Sequence, residues 1–277
     1  MLKIATWNVN SIRARLSNLI SWVSTSRPDI LLLQELKCTE QQFPFLELGD
    51  LGYNIEIFGQ KARNGVAIFS KLPLYSIGRG LQPEESDSPD EDARYLEANF
   101  DSEGRTIKIA SIYVPNGGPS ASDVRSGIDD IRTTKNFLGK MDFFDRLARK
   151  FIESVDRDEI SFFGGDYNVC PNLQMDVYSP KKDGCITCTG EERTKFRNLL
   201  DSGVSDLWRK LNPELREYSW WGYRPYYMWE KNQGFRLDAI LATPIAVDSA
   251  LGCKIYLETR GEKKASDHAP MMCELEF

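Results

Sequence analysis

Histidine is nearly absent from this chain of 277 residues, which contains only His268. A zinc ribbon is not expected either, because it needs two C-x-x-C pairs and the chain has one, formed by Cys185 and Cys188. Without a cluster of cysteines and histidines, the side chains left to bind a metal are carboxylates and amides. Such oxygen ligands suit hard cations, and we expect Mg²⁺ or Mn²⁺.

Long apolar runs are also missing. No segment approaches the roughly 20 consecutive apolar residues of a membrane-spanning helix, and we expect no membrane partner. The N-terminus begins at once with a strand-like segment, residues 2–7, and leaves no room for a signal peptide. We therefore expect a cytoplasmic protein in which most of the six cysteines are reduced thiols.

The sequence motifs that bind nucleotides do not occur. The chain has neither a G-x-x-x-x-G-K-[ST] loop nor a dinucleotide fingerprint, which argues against nucleoside triphosphate or NAD chemistry. The formal net charge of −6 argues weakly against non-specific binding of polyanions. Nucleic acid nevertheless remains a candidate partner, because a local basic patch can lie on an acidic protein.

The length and composition predict one domain over residues 1–277. Hydrophobic residues make up 41% and charged residues 27%, which is ordinary for a globular enzyme, and no repeat or linker interrupts the chain. Many strand-like segments in both halves, with few helices, predict an α/β fold of two sheets packed face to face with helices outside. The predicted strands span residues 2–7, 30–33, 53–58, 65–70, 94–100, 106–114, 160–165, 217–221, 236–242, 251–257 and 271–277.

Three helices are predicted between these strands. The first runs from about Ser11 to a point before Pro28. The second spans about 137–152 and has an apolar face that includes Leu138 and Ile152. The third follows a capping box that begins at Thr189.

The most informative stretch is residues 160–168, where an apolar strand ends in two glycines, Asp166 and Asn168. Glycines let the backbone turn sharply or approach a ligand closely. Alternate residues of extended backbone share a face, so the carboxylate and the amide could point into one site. An ordinary turn that closes the strand explains the same pair equally well.

Similar polar residues at the ends of other predicted strands favour a site. In α/β proteins, chemistry gathers outside the carboxyl ends of strands. Asp238 stands in an otherwise apolar strand that would not accept an unpaired carboxylate, and a nearby Asp238 would hold the ring of His268 and favour its cation. Together these residues supply metal ligands, a base for water and donors for phosphate, as phosphodiester hydrolysis requires. The strand-end residues are Asn8, Asn10, Glu35, Tyr113, Asn116, Asp166, Asn168, Asp238, Asp267 and His268.

Seven motifs resemble those of the bacterial exonuclease III family of abasic-site endonucleases, within the endonuclease/exonuclease/phosphatase superfamily. They occur in the family's order, and the resemblance extends from Met1 to Phe277. It implies a four-layer α/β/β/α sandwich of two packed mixed β-sheets with outer helices. It also implies incision of duplex DNA 5′ to abasic sites, with 3′-to-5′ exonuclease and 3′-phosphatase activity. The motifs are W-N-V-N-S-I-R-A-R (7–15), L-Q-E-L-K (33–37), N-G-V-A-I (64–68), Y-V-P-N-G (113–117), G-D-Y-N-V (165–169), Y-S-W-W (218–221) and S-D-H-A-P (266–270).

The resemblance also implies roles for individual residues. Glu35 resembles the principal metal ligand with Asn10 beside it, and Asn8 and Asp267 are expected near the metal. Asn8 and Asn168 resemble the amides that hold these groups and the phosphate. Asp166 resembles the residue that orients or deprotonates the attacking water, although the base is either Asp166 or His268. The other residues expected in catalysis are Asp238, Tyr113 and Asn168.

The expected partner is duplex DNA with abasic sites or blocked 3′ ends, bound by a monomer. Trp220, Phe235 and Leu237 resemble the apolar pocket for an extruded abasic sugar. The same loop could instead form a small aromatic core of its own. Further expected DNA contacts are Asn116, Lys140 and Arg224.

Two rival functions share parts of this pattern. Other superfamily members cleave lipid head groups or inositol phosphates, but the aromatic loop and the missing membrane-binding stretch argue against them. A non-catalytic DNA-binding module would be expected to have lost Glu35, Asp166 or His268. Gln233 and the long acidic connection over 118–133 depart from the family pattern, and both bear on DNA affinity rather than chemistry.

Overall fold

The computed structural model describes residues 1–81 and 92–277. The acidic loop predicted between Pro83 and Asp92 lies outside these ranges, apart from its last residue. Within the described residues, no helix is both long and apolar enough to cross a membrane.

The described residues form two six-stranded mixed sheets. The first has the order β11-β12-β1-β2-β4-β3, and the second has the order β5-β6-β7-β8-β10-β9. Neighbouring strands are antiparallel except for the parallel pairs β1–β2 and β7–β8. The strands are β1 (Leu2–Asn8), β2 (Ile30–Gln34), β3 (Asn54–Phe58), β4 (Val66–Ser70), β5 (Tyr75–Arg79), β6 (Tyr95–Ser102), β7 (Arg105–Tyr113), β8 (Ile160–Asp166), β9 (Ser205–Asp206), β10 (Asp238–Ala242), β11 (Ala250–Ile255) and β12 (Met271–Leu275).

Helices cover the outer faces of both sheets, which gives the four layers expected from the resemblance. Helix α1 packs on the first sheet, where Trp22 joins the apolar cluster of Trp7 and Leu33. Helices α4 and α5 pack on the second sheet, where Phe151 and Phe196 lie in one cluster. The helices are α1 (Leu16–Ser26), α2 (Phe45–Leu48), α3 (Ala121–Arg125), α4 (Lys135–Asp156), α5 (Gly190–Asp201), α6 (Leu207–Leu211) and α7 (Pro244–Val247).

The main core lies between the two sheets. Ile4 and Leu32 of the first sheet pack in one buried cluster with Ile109, Phe162 and Ile240 of the second. Each strand turns alternate side chains into this layer, so both sheets bury their inner faces completely. Burial of this kind fixes the register of the strands, because a shift by one residue would turn the apolar set outwards.

The two glycines of the 160–168 stretch lie within β8 rather than at a turn. A Cβ on Gly164 would lie 2.6 Å from Leu32 Cδ1 of the facing sheet. A Cβ on Gly165 would lie 1.9 Å from the Ile112 carbonyl oxygen. The glycines therefore let the neighbouring backbone and the opposite sheet come close to β8, directly before Asp166.

Several local predictions differ from the structure. The first helix begins at Leu16 rather than Ser11. The 217–221 segment is not a strand, and its Trp220 makes only isolated bridges, to Phe235 and His268. On α4, Leu138 and Ile152 are exposed, because the buried stripe is narrower than the run of apolar residues suggested.

Two cysteines are not thiols. Cys253 of β11 lies opposite Cys273 of β12, and the two form a disulfide.

The capping box at Thr189 is present, with the Thr189 side chain accepting from the backbone N–H of Glu192. It thus fixes the start of α5 as the sequence predicts.

Candidate active site

The predicted site residues meet at one edge of the sandwich. Strands β1, β2, β7 and β8 end there, β10 begins there, and the turn before β12 passes over it. Together they surround a cavity of about 450 Å³. The residues that line it are Glu35, Tyr113, Asn116, Asp166, Asn168, Lys182, Cys185, Ile186, Thr187, Trp220, Phe235, Leu237, Asp267 and His268.

Asn8 joins the two halves of the site. Its amide nitrogen donates to Glu35 Oε1 and to Asp166 Oδ2, each at 2.9 Å. Its amide oxygen accepts from the backbone N–H of Asn10 at 3.0 Å. Asn8 was expected near the metal as an amide that holds these groups, and both ends of its amide are used within the protein. The structure therefore places Asn8 as the donor that holds two carboxylates of opposite sheets together.

Asp238 and His268 form the expected pair. His268 Nδ1 lies 2.8 Å from Asp238 Oδ2, and Nε2 lies 3.7 Å from Asp166 Oδ2. Burial alone would lower the pKa of the ring, but the carboxylates of Asp238 and Asp166 outweigh it and raise the pKa of His268 to about 10. At neutral pH the ring is therefore an imidazolium that can donate from Nε2 towards the cavity.

The pKa of Asp166 is raised as well, which for a carboxylic acid favours the neutral form. Burial raises its pKa to about 7, helped by the Asp238 carboxylate and opposed by His268. Asn168 supports this side chain, because its backbone N–H donates to Asp166 Oδ1 at 2.9 Å. A carboxylate with a pKa near the working pH can both take up and release a proton, as a general base must.

Tyr113 lies between the two carboxylates at the end of β7. Its pKa is raised well above the usual value, first by burial and then by the charges of Glu35 and Asp166. The phenol is therefore protonated at neutral pH. It can donate a hydrogen bond to a phosphate oxygen in the cavity.

Three site residues have left-handed backbone. The φ angles are 45° at Asn10, 55° at Glu35 and 50° at Asn168. Side chains other than glycine adopt this region rarely, and asparagine does so most easily. For Glu35 the conformation is costly, and it turns the carboxylate into the cavity directly after β2. Such local strain is typical of functional sites.

Lys37 was missed by the sequence analysis. Its ammonium lies 2.7 Å from Glu35 Oε2 and also donates to Asn10 Oδ1. The Asn10 amide nitrogen donates to Asp267 Oδ1 at 2.8 Å. Both ends of the Asn10 amide are thus engaged beside the Glu35 carboxylate, and the expected contact of Asn10 with the metal stays a prediction. The position of Lys37, two residues after Glu35, was the signal in the sequence that could have placed it at the site.

Three ligand atoms remain near one another in the part of the chain described. One atom each of Glu35, Asp166 and His268 lie within 4.8 Å of one another. Because the His268 ring is cationic and bound to Asp238, it is not free to coordinate. Glu35, which is partly exposed, and Asp166 offer hard oxygen ligands at the cavity floor, and these fit a divalent cation such as Mg²⁺.

An apolar wall lies beside this polar floor. The Trp220 ring packs edge-on against Phe235 with centroids 5.2 Å apart, and Leu237 continues the wall. Trp220 Nε1 donates to Asp267 Oδ2 at 3.1 Å, which ties the wall to the polar residues. Ile186, which the sequence analysis did not select, lines the same cavity.

Arg236 does not face this cavity. It is fully buried between Phe235 and Leu237, with Nε 2.8 Å from Asp176 Oδ1 and Nη1 2.8 Å from Asp206 Oδ2. Its guanidinium therefore anchors the segment that carries the wall and leaves no group for the DNA backbone. Arg224, in contrast, is exposed on the loop between Trp221 and β10, as a DNA contact requires.

Lys140 occupies a place that the sequence did not predict. Its side chain is fully buried, and its ammonium donates to the carbonyl oxygens of Asn168 at 2.6 Å and Asn116 at 3.1 Å. It also pairs with the buried carboxylate of Glu192. The structure contradicts the expected DNA contact, because no surface of Lys140 is open to a ligand. Lys140 instead holds two site loops against α5.

We expect Lys140→Met to destabilise the fold strongly. The substitution would leave Glu192 as an unpaired buried charge, and breaking such a pair costs about 3–5 kcal/mol. The matched control is Lys195→Met, which breaks the more exposed pair with Asp145 and should cost less than about 1 kcal/mol. Urea unfolding of both variants measures the difference. Equal losses in the free energy of unfolding would show that the buried pair stabilises the fold no more than the exposed pair does.

Known proteins with this fold and a similar sequence agree with the architecture described above. Residues 5–268 match the model of the "Endonuclease/Exonuclease/phosphatase family". An exodeoxyribonuclease III of Haemophilus influenzae is 29% identical over 99% of each chain. An AP endonuclease from Archaeoglobus fulgidus has 33% identity and a TM-score of 0.87, with full coverage of both chains. The 3′ phosphatase NExo from Neisseria, solved with a product DNA hairpin, has 32% identity and a TM-score of 0.88, again with full coverage.

Proposed function

Because the chain belongs to the endonuclease/exonuclease/phosphatase family and is a hydrolytic DNA repair nuclease, we propose that it incises duplex DNA 5′ to abasic sites and processes blocked 3′ ends. The observation that carries this proposal is the junction of a polar floor and an apolar wall in one cavity. Asp166 and His268 lie on the floor, and Trp220, Phe235 and Leu237 form the wall.

Asp166 is the proposed base. The pKa of Asp166 near 7 leaves it able to accept a proton from water at neutral pH. His268 cannot take this role, because Asp238 keeps its ring protonated. Its Nε2–H instead donates towards the phosphate, where positive charge stabilises the charge that develops on oxygen. Tyr113 adds a neutral donor at the same edge, and Asn168 supports Asp166 through its backbone N–H and its amide nitrogen.

We propose that Glu35 is the main ligand of a Mg²⁺ or Mn²⁺ ion on the cavity floor, beside the base Asp166. When bound, the ion supplies positive charge to the phosphate oxygens. Asn8 fixes the spacing of the two carboxylates through its paired hydrogen bonds, and Lys37 neutralises the outer oxygen of Glu35. Asp267 accepts a hydrogen bond from the Asn10 amide nitrogen and adds a further acidic group beside Glu35 and Asp166.

The apolar wall suits an abasic sugar. A nucleotide that lacks its base leaves the helix at low cost, since nothing is unstacked, and an apolar surface can then take the deoxyribose. The site uses residues from Asn8 to His268 of one chain. We therefore propose that residues 1–277 act as one domain and that the monomer is active.

The test is incubation of a labelled duplex bearing one abasic analogue, with and without Mg²⁺. We expect one cut immediately 5′ to the analogue, dependent on the ion. The control substrates are an intact duplex, a duplex with a terminal 3′-phosphate and an inositol phosphate. Cleavage of the inositol phosphate with an untouched abasic duplex would reject the proposal in favour of the rival superfamily activity.

Phe235→Ala should separate recognition of the sugar from phosphate chemistry. Loss of about 1–3 kcal/mol of apolar contact predicts a roughly 5- to 150-fold fall in kcat/KM for abasic incision. Removal of a 3′-phosphate needs less contact with the apolar wall, so the rate of that reaction should fall less. The readout is the ratio of the two rates at one salt concentration. If both rates fall equally together with the melting temperature, Phe235 only packs the loop.

A further inference from the structure

The C-x-x-C motif takes no part in the chemistry proposed above, yet it lies at the active site. Cys185 is an exposed free thiol, and it lines the same cavity as Asp166. Cys188 is also a free thiol, but it is buried in the main apolar cluster. The motif therefore places one accessible thiol and one protected thiol at the wall of the cavity.

Residues 185–188 form a tight turn. The backbone N–H of Cys188 donates to the Cys185 carbonyl oxygen at 2.8 Å. A turn of this kind keeps the Cα atoms of its end residues within about 7 Å, which is close to the separation found in disulfides. Thr187 has a φ of 69°, a left-handed conformation that β-branched residues rarely adopt. The turn thus holds two cysteines near each other on a strained backbone.

The same turn is part of the active-site wall. Ile186 and Thr187, which lie between the two cysteines, both line the cavity. The Thr187 carbonyl oxygen accepts from the backbone N–H of Cys170, in the loop after β8, at 2.8 Å. The Thr187 N–H donates to Glu192 Oε1 at 3.1 Å, on the carboxylate that pairs with Lys140. A movement of the turn would therefore reach both the wall and the loops that Lys140 holds.

A third thiol prepares Cys188 for reaction. Cys170 is buried in the same cluster, and its thiol lowers the pKa of Cys188. The thiolate is the form of cysteine that attacks another sulfur. Burial raises the pKa of Cys170, so this neighbour keeps its proton. Within residues 1–81 and 92–277, no thiol belongs to a group of three possible metal ligands, which favours oxidation chemistry over a metal site.

We propose that Cys185 and Cys188 are an oxidisable pair that forms a disulfide when the protein meets a hydroperoxide, and that this bond suppresses DNA cleavage. The Cys185 thiolate attacks the peroxide and the O–O bond breaks, which leaves a sulfenic acid on Cys185 and, with the thiol's proton, one molecule of water or alcohol. The Cys188 thiolate then attacks the Cys185 sulfur. The S–S bond forms, the S–O bond breaks and water leaves. The two thiols lose two electrons, and the peroxide gains them.

Suppression follows from where the two thiols lie. Cys185 lines the cavity and Cys188 lies in the core, so they cannot be bridged without movement of the backbone between them. That backbone carries Ile186 and Thr187 of the cavity wall. Misplacement of an active-site group by about 1 Å can cost roughly 10²-fold in rate. The effect on cleavage rests on the proposed nuclease function, whereas formation of the disulfide does not.

The first experiment maps the thiols. The protein is treated with hydrogen peroxide, quenched with catalase, unfolded and alkylated with iodoacetamide before digestion with trypsin. One tryptic peptide, residues 183–193, contains both Cys185 and Cys188. We expect this peptide to lose two hydrogens and both alkyl groups, while Cys38, buried in another cluster, remains alkylated. A bond between Cys170 and Cys188, or free thiols at both positions of the motif, would overturn the proposal.

The second experiment measures incision of the abasic duplex before and after the same treatment. Each rate is divided by that of the same variant kept reduced. Wild type and Cys38→Ser should fall at least about tenfold and recover in dithiothreitol. Cys185→Ser and Cys188→Ser cannot form the bond and should keep most of their own reduced rate. Both serine variants retain the Cys253–Cys273 disulfide, so they also control for its reduction by dithiothreitol.

The outcomes separate this proposal from the nuclease function. An equal loss of rate in Cys185→Ser would trace the inhibition to oxidation elsewhere and reject the pair as a switch. A disulfide that forms while the wild-type rate holds would reject the coupling of the turn to the site. If reduced wild type does not cut the duplex, the nuclease proposal is overturned instead, and the peptide map still decides whether the disulfide forms.

Discussion

Asp166→Asn should lower kcat by about 10²- to 10⁴-fold and leave DNA bound as tightly as before, or more tightly. The substitution keeps the shape of the side chain and its acceptor for the Asn168 backbone N–H. It removes the carboxylate that accepts the proton of water. It also removes one negative charge from the face that meets the phosphate. Single-turnover cleavage and anisotropy with the same duplex measure the two effects separately.

The pKa of Asp166 gives this prediction a control. A base with a pKa near 7 is protonated below that pH, so wild-type kcat should fall as the pH drops through about 7. Asp166→Asn should lose this acid limb, because it has no carboxylate to titrate. A variant that keeps the acid limb would assign the base to another group.

Removal of the divalent ion should have an effect of similar size. Excess EDTA is expected to abolish cleavage, and Mg²⁺ or Mn²⁺ should restore it, because the charge that neutralises the phosphate is lost. Glu35→Gln should need at least about tenfold more ion for half-maximal rate, since it weakens the one partly exposed anionic ligand. A titration of initial rate against Mg²⁺ measures the shift.

Lys37→Gln is the informative companion of that variant. The Lys37 ammonium pairs with Glu35 Oε2, so removing it leaves the charge of that carboxylate unpaired. The Mg²⁺ concentration for half-maximal rate should therefore fall. Opposite shifts for Glu35→Gln and Lys37→Gln would confirm Glu35 as the anionic ligand. Full activity of wild type in EDTA would reject any metal at this site.

The sequence allowed the sheets and most site residues to be predicted, for physical reasons that are local. Apolar runs such as Ile30–Gln34 and Ile160–Asp166 are buried on both faces, and polar residues directly after them must lie at the sheet edge. Glu35 and Asp166 were singled out in this way, whereas Asp238 was singled out as a carboxylate in an otherwise apolar strand and His268 as the one histidine, at the turn before the last strand. The resemblance added which of these residues belong to one site.

The partners of long side chains could not be predicted, because they depend on contacts far apart in the chain. Lys140, expected as a DNA contact, is buried instead, because Glu192, 52 residues later, pairs with its charge. The resemblance placed Asn8 near the metal, but its hydrogen bonds to Glu35 and Asp166 span 27 and 158 residues and could not be read from the sequence. Single-residue patterns carry no information on such pairings.

The position of His268 in the chain has a consequence for biosynthesis. The imidazole and β12 are made after the other described strands, although β12 pairs with β1, the first of them, and His268 pairs with Asp238 of the other sheet. A nascent chain on the ribosome therefore holds Glu35 and Asp166 without the cation opposite them. Chains released before Ser266 can be no more than incomplete enzymes, so truncated translation products should not nick the chromosome. Incubating such a truncated chain with supercoiled plasmid would reveal any nicking directly.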